Sequence, residues 1–515
     1  MAFETLELED FAYDTDGTLY PSESPLSYYP GGLHPVTMGT IISSAKTRYH
    51  VVHKLGHGGY ATVWLVQDLS SSTWLALRIR MARCDGAGED EVLHSIRSKP
   101  GSPHLPDILD VFTIDGPNGR HTAIVTDVIA PLGSTLAYVP EERMGSKSIV
   151  RGIVEAVAHL HGAGIIHGDL HVGNIGLAMD LRKAKVKPIA PLRCPVRSEA
   201  RVTLLIAETP RALAQSSHFP PYIVQATDLG PHYEDFRDET DTHVVKVFDF
   251  GNAHLTERPR PTGGFLKSIA PPEWEIVQSL ERRPEVFFTM ASDVWALGLL
   301  MFGVMSGGNH HLLPGHSSQL LEMAQLAGSI PSSWNSYPAA KTLNSHDVSA
   351  RSADDLWQRH RTALCESGLI DEDAGALIAL LRRIMVLEPS ARPSAAQILR
   401  DPWFSIVAKI TDRGEVQVAS PGTRYFTDTA PNYAHPVPSA PIQHTNSHGM
   451  AHHSMYPSQN VPFAPQPPTY QPPPPVHPAI PGYPSPPHIA PFTYASPFPP
   501  TRSPVGSEAW VPPHA

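Results

Sequence analysis

Cysteine is scarce in this 515-residue chain: Cys84, Cys194 and Cys365 stand far apart, with no C-x-x-C pair. Neither a cysteine zinc cage nor a disulfide framework is offered, and a reducing compartment is expected. Long apolar runs are also missing. The richest stretches, GIVEAVAHL and VWALGLLMFGVM, fall well short of the ~18 residues of a membrane-crossing helix, and the acidic opening MAFETLELED has no apolar core. A soluble intracellular protein without membrane contact is expected. Positive charge is in deficit, with 39 Lys and Arg against 50 Asp and Glu for a formal charge of −11. That balance argues against direct nucleic-acid binding and mildly favours a basic partner. No sustained Lys/Arg run marks a nuclear signal.

What is present is apolar enough, at 41% hydrophobic residues, to require a real core. The 54 prolines are about twice ordinary usage of ~5%, but 26 of them follow residue 420, so the excess is a tail. Residues 429–501 of that tail contain no Asp, Glu, Lys or Arg, while carrying QPPPPVHP and PGYPSPPH. Such a segment cannot offset its ordering entropy by burial, and residues 409–515 read as disordered with local polyproline II. Within it, Pro467, Pro468 and Tyr470 form a P-P-x-Y string of the kind taken by WW-type grooves, and the proline runs suit SH3-type domains.

Ahead of the tail the texture changes twice. Residues 1–47, rich in Tyr, Pro, Ser and Gly, show no period and read as an extended arm. From Arg48, alternating apolar positions in YHVVHKL, ATVWLVQD and WLALRIRM predict an antiparallel sheet, and HTAIVTD adds a further strand. One helix, EDEVLHSIR, interrupts it with Glu89, Val92, Leu93 and Ile96 at helical spacing. After Leu132 the period shifts toward 3.6 in SIVRGIVEAVAHLHGAG, SDVWALGLLMFGVM, SQLLEMAQLAG and DAGALIALLRRIM. The expected fold is therefore α+β and bilobal: a β-rich lobe over 48–128 and a helical lobe over 129–408. An insert occupies about 178–243, basic at its start and acidic at its end. No repeat of 20–50 residues is visible.

Chemistry-bearing residues fall in a fixed order along these elements. KLGHGGYATVWLV sets Gly56, Gly58 and Val63 in G-x-G-x-x-A-x-V, where glycines let backbone amides approach phosphate oxygens. Arg78 follows about 22 residues beyond Gly56 in WLALRIR. IIHGDLHVGNIGL places Asp169 and Asn174 five apart on a loop, a proton acceptor beside a metal-binding amide. His159, His161, His167 and His171 surround this loop and read as core and loop histidines rather than a metal site. VVKVFDFGNA ends a strand with Asp249, a carboxylate suited to a phosphate-bridging cation. Glu273 in IAPPEW, Asp293 in ASDVWALG and Arg392 in LEPSARPSAAQIL complete the series. Together these elements make coincidence very improbable.

Over residues 48–408 the chain resembles the eukaryotic protein kinases. Its flanks, YYPGGLHPVTMG before RYHVVHKLGHGGYATVWLVQD, and GNA after D-F-G, resemble the SR-protein kinase branch of serine/threonine kinases. The resemblance implies ATP between two lobes and Mg²⁺ on its phosphates. Leu55, Gly56, Gly58 and Val63 would cover the nucleotide, Ala76 would touch adenine, and Asp127 and Ile129 would line the hinge. Glu89, with Glu91 as the alternative, would pair with Arg78. Asp169 would be the catalytic base, Asn174 and Asp249 the metal ligands, and Glu273 would pair with Arg392. It further implies a protein substrate, Arg/Ser-rich in that branch, and a cytoplasmic or nuclear setting; a monomer is expected.

Three departures stand out. Arg78 occupies the position of the family's lysine, and a planar guanidinium presents its charge differently from an ammonium. An alternative function, a pseudokinase scaffold with impaired transfer, follows from that substitution. His171 replaces the catalytic-loop lysine. Gly168 replaces the usual arginine, the partner of an activation-loop phosphate, so activity without such a phosphate is expected. HGDLHVGN also resembles the loop of small-molecule phosphotransferases, a third reading.

Overall fold

The computed structural model describes residues 6–7, 11–14, 22–84, 86–98, 101–138, 145–183, 201–237, 242–261, 264–315 and 318–405. The proline-rich tail with its Pro467, Pro468 and Tyr470 string lies outside them, as does the basic start of the insert. Among the described residues no helix is long and apolar enough to cross a membrane.

The first lobe is built on six antiparallel strands in the spatial order β2-β3-β4-β5-β7-β6, comprising β2 (Ile41–Ser43), β3 (Arg48–His57), β4 (Ala61–Asp68), β5 (Trp74–Arg80), β6 (Ile108–Gly116) and β7 (Gly119–Thr126). Strand alternation sorts its side chains to two faces. Trp64, Val66, Leu75, Leu77, Ile79, Ala123 and Val125 form one core cluster. Leu65 and Ile124 point the other way, into the main core with Val92 and Leu93 of helix α1 (Ala87–Ser98). This helix is the one expected from EDEVLHSIR.

The opening segment does more than extend along the surface. Its β2 pairs with β3, and Val36 and Ile42 enter the cluster around Trp64. Strand β1 (Phe11–Asp14) pairs with β11 (Val202–Ala207) of the insert, which pairs in turn with β12 (Tyr222–Val224). Tyr28 and Leu33 pack with Met81, Leu205 and Ile223. Glu23 forms an ion pair with Lys54 and accepts a hydrogen bond from the Tyr28 hydroxyl at 2.6 Å. Lys54 is fully buried, 5.3 Å from the Trp64 ring centre. Opening segment and insert thus cover the sheet face that α1 leaves bare. Neither shows a period because irregular segments bury side chains singly, wherever the chain touches the sheet.

The second lobe begins with β8 (Val128–Pro131) and α2 (Leu132–Tyr138), followed by α3 (Ser146–Gly162). Strand β8 pairs with β10 (Ile175–Met179), and β10 with β13 (Val245–Val247). A two-residue strand, β9 (Ile165–Ile166), pairs with β14 (His254–Leu255). These short ladders carry the loops that hold the site. Helix α4 (Pro210–Ala214) belongs to the insert and α5 (Pro272–Val277) follows Pro271. Helix α6 (Met290–Met305) is buried almost all round, as its nearly unbroken apolar sequence demands. Helices α7 (Gln319–Ala327), α8 (Pro338–Leu343), α9 (Ala350–Glu366), α10 (Asp371–Ile384) and α11 (Ala395–Ile398) complete the lobe. The bilobal α+β architecture is the expected one.

Candidate active site

The glycine-bearing turn joins β3 to β4, with Gly56 opposite Val63 and the Gly58 amide donating to the Ala61 carbonyl at 2.8 Å. A Cβ built on Gly56 or Gly58 meets nothing within 4 Å. Packing therefore does not demand glycine here; open space lies over the turn. Leu55 and Val63 are half-buried, and Ala76 is buried on β5, opposite Leu65 on β4. Asp127 sits between β7 and β8, where the chain passes from one lobe to the other, and Ile129 pairs with Ala178 across β8 and β10. The Asp127 carboxylate binds Lys246 of β13 at 3.1 Å and accepts the Asp107 amide at 2.9 Å. Burial raises the Asp127 carboxyl above its usual range and Lys246 pulls it back. That side chain ties the crossing to β13 and to the segment before β6.

Arg78 and Glu89 are brought together as an ion pair, so Glu89 rather than Glu91 is the helix carboxylate; Glu91 binds Arg258 at 2.8 Å. The second Arg78 nitrogen, Nη2, lies 3.1 Å from Asp249 Oδ1. One guanidinium therefore bridges α1 to the D-F-G segment, with a separate nitrogen of its planar fork on each carboxylate. Burial works against the Arg78 charge, but Glu89 and then Asp249 outweigh it and raise its pKa above the ordinary value. Asp249 has φ +64°, a left-handed conformation that costs a non-glycine residue on the order of 1–3 kcal/mol. Its Oδ1 also accepts the Gly251 amide at 3.3 Å, which helps hold that geometry.

Asp169 lies in the loop after β9 and is 9% exposed. Its carboxylate accepts from Asn252 Nδ2 at 3.2 Å and from the Leu266 amide at 3.2 Å. Burial pushes the Asp169 carboxyl up and Asp249 adds to the rise, while His171 and the Leu266 amide oppose it. His171 Nδ1 accepts the Gly173 amide at 3.1 Å, so the ring proton sits on Nε2, 3.8 Å from Asp169 Oδ2. Asn174 donates its side-chain N–H to the Asp169 carbonyl at 2.9 Å, which leaves its amide oxygen for a ligand. The Phe248 amide donates to the Asn174 carbonyl at 3.0 Å, tying this loop to the segment after β13 that carries Asp249.

Beneath the loop, buried Asp293 accepts the His167 and Gly168 amides at 2.8 and 2.9 Å and faces His161 Nε2 at 2.9 Å. Burial would raise the Asp293 carboxyl, but His161, then His167 and the Gly168 amide, hold it below its usual range. Gly168 has φ +77°, and a Cβ there would lie 2.8 Å from the Asn252 carbonyl oxygen. Glycine is required at this point, so an arginine cannot be fitted without moving the loop. Gly168→Ala is expected to destabilise the protein by about 1–3 kcal/mol from backbone strain alone, read as a lower urea midpoint with unchanged slope. An unshifted midpoint would show that the loop does not need this conformation.

Glu273 and Arg392 form a bidentate pair at 2.7 and 3.1 Å, and Arg392 also donates to the carbonyls of Ala291, Val386 and Leu387. Two members of the site were not singled out from the sequence. Asn252 belongs to the G-N-A that follows D-F-G, and its grip on Asp169 explains that signature. Arg80 shares Glu89 with Arg78 at 2.9 Å, and its only sequence signal is its place two residues along the same strand.

No family model matches the chain. It is 32% identical over 179 residues to serine/threonine-protein kinase spk-1 of Caenorhabditis elegans, a match covering 32% of this chain and 17% of that protein. It is 33% identical over 172 residues to SRSF protein kinase 3 of Homo sapiens, covering 30% of each. A serine/threonine protein kinase of Aspergillus fumigatus is 24% identical over 417 residues, 76% of this chain and 92% of the relative. A crystallised kinase domain superposes with a TM-score of 0.44 at 15% identity, covering 72% of this chain and 98% of that one. The chain spans less than a third of the length of the first curated relatives it matches. The class these relatives define is the serine/threonine protein kinases. Within that class the chain is similar to the SR-protein kinases.

Proposed function

We propose that this protein transfers the γ-phosphoryl group of ATP to serine or threonine hydroxyls of a protein substrate. The observation that carries the reading is the linked set Asp169, Asn174, Asp249, Arg78 and Glu89, joined by contacts across both lobes. The Asp249 carboxylate and the Asn174 amide oxygen are hard donors that suit a divalent cation, and they would hold Mg²⁺. Bound there, the ion would neutralise charge on the nucleotide phosphates. Asp169 would orient the acceptor hydroxyl and take its proton, with Asn252 and the Leu266 amide fixing the carboxylate. The open turn at Gly56 and Gly58 leaves room for phosphates, and Arg78 adds a permanent positive charge beside them.

The arrangement supports an active enzyme over a pseudokinase scaffold, since base and both metal ligands are retained and the guanidinium is fastened at two points. Arg78→Lys is therefore expected to lower kcat/KM by about 10²–10³-fold, because a shorter side chain must then reach Glu89 and Asp249 from one nitrogen instead of two. A gain in turnover would mean that the guanidinium cripples the site.

The pH profile follows from the base. Asp169 must be ionised to accept a proton, so the acid limb of kcat/KM is expected above the usual carboxyl value of about 3.9. His171→Gln removes an opposing influence and should move that limb upward. A limb at or below the ordinary value, unmoved by His171→Gln, would exclude Asp169 as the base.

Similarity to the SR-protein kinases supports Arg/Ser-rich acceptors and a cytoplasmic or nuclear setting. Phosphorylation of an Arg/Ser-repeat peptide in competition with a general basic protein tests the acceptor class. Preference for the repeat is expected, and exclusive labelling of the general acceptor would remove that part of the reading.

A further inference from the structure

Two arginines hold Glu89. Arg80 follows Arg78 by two residues on β5, so both side chains leave the same face of the sheet. Arg78 takes Glu89 Oε1 and Arg80 Nη1 takes Oε2 at 2.9 Å. Arg80 Nη2 adds Asp90 Oδ1 at 2.7 Å, and Nη1 donates to the Gly86 carbonyl at 3.3 Å. Arg80 is 3% exposed, and its own carbonyl accepts from the buried His121 Nδ1 at 2.8 Å. Glu89 and Asp90 occupy the first turn of α1, where the helix end already favours carboxylates. A Cβ on Gly86 would overlap the Arg80 guanidinium, so the glycine keeps the guanidinium against the helix start.

The geometry points to Arg80 as a positioning residue that sets the first turn of α1 and the Glu89 carboxylate, so that Arg78 can hold Asp249 as well. This rests on the phosphoryl-transfer reading above. With Glu89 gripped on both oxygens, α1 does not depend on Arg78 alone. The longer, forked side chain at 78 can then span to the D-F-G segment without releasing the helix. Because a guanidinium stays charged at all working pH values, the clamp is permanent.

Backbone amide hydrogen exchange on the full chain tests this directly, comparing wild type, Arg80→Met, Arg80→Lys and Asp90→Asn. Arg80→Met is expected to speed exchange in 87–98 by about tenfold or more while β4 and β5 keep their protection. Asp90→Asn, which leaves Glu89 clamped, should give a smaller effect in the same helix. In transfer assays Arg80→Met should lower kcat by about 10–100-fold with KM for Mg·ATP changed less than about threefold, and Arg80→Lys should recover part of it. Unchanged exchange in α1, or equal loss across the whole sheet, would overturn the proposal. Should Arg80→Met not fold, Arg80→Lys and Asp90→Asn decide by the same exchange pattern. Should the wild type transfer no phosphate, the phosphoryl-transfer reading fails while the exchange comparison still decides the role of Arg80.

Discussion

Asp169→Asn is expected to lower phosphoryl transfer by about 10²–10⁴-fold while leaving nucleotide affinity within a few-fold of wild type. The amide is nearly isosteric, and the Leu266 amide can still donate to its oxygen, so the loop should keep its shape. What is lost is the proton acceptor. Burial holds the Asp169 carboxyl above its usual range and so makes its carboxylate a better proton acceptor, while His171 and the Leu266 amide oppose the rise and keep the ionised form accessible. Steady-state kinetics with titration of nucleotide binding separates the two terms. Undiminished transfer by the variant would remove Asp169 from the mechanism.

Arg392→Met is expected to cost about 3–5 kcal/mol of stability, because it removes a buried guanidinium and leaves the half-buried Glu273 carboxylate and three backbone carbonyls without their donor. Its guanidinium is buried among Glu273 and three backbone carbonyls, and its carbon atom Cζ lies 5.3 Å from the Trp295 ring centre. Removing it strands the Glu273 carboxylate with Ser292 Oγ at 2.9 Å and leaves the Ala291, Val386 and Leu387 carbonyls short of a donor. The double variant Glu273→Leu with Arg392→Met should recover part of the loss, since the charge goes but the carbonyls remain. Urea denaturation of the single and double variants measures both quantities. A loss under about 1 kcal/mol for Arg392→Met would place the pair among ordinary surface bridges.

The site was legible in sequence where its geometry is local. Gly56 and Gly58 mark a hairpin turn, Asp169 and Asn174 are fixed five apart by one loop, and Asp249 follows a strand that ends two residues earlier, at Val247. The helix clamp was less visible: Glu89 and Glu91 both suit the start of α1, and only the approach of β5 separates them. Arg80 is hidden for the same reason, because a basic residue on a strand carries no sign of which helix it meets. In the fold, β6 escaped the period-two reading since its register slips between Ile108 and Asp110 and it exposes Leu109 while burying Asp110. Helix α9 buries Ala353, Trp357, His360 and Leu364, a helical spacing masked by one small and one polar residue. The packing of the opening segment rests on Glu23 meeting Lys54 and β1 meeting β11, pairings across long stretches of chain that no local pattern announces.

The central claim is that a site built around Arg78 still transfers phosphate. The most direct test is incorporation of labelled γ-phosphate from Mg·ATP by the purified protein into an Arg/Ser-repeat peptide and a general basic protein. Nucleotide binding is measured on the same preparation. The account predicts labelling that depends on Asp169 and falls in Arg78→Lys. ATP bound with Mg²⁺ but no label transferred to either acceptor would contradict it.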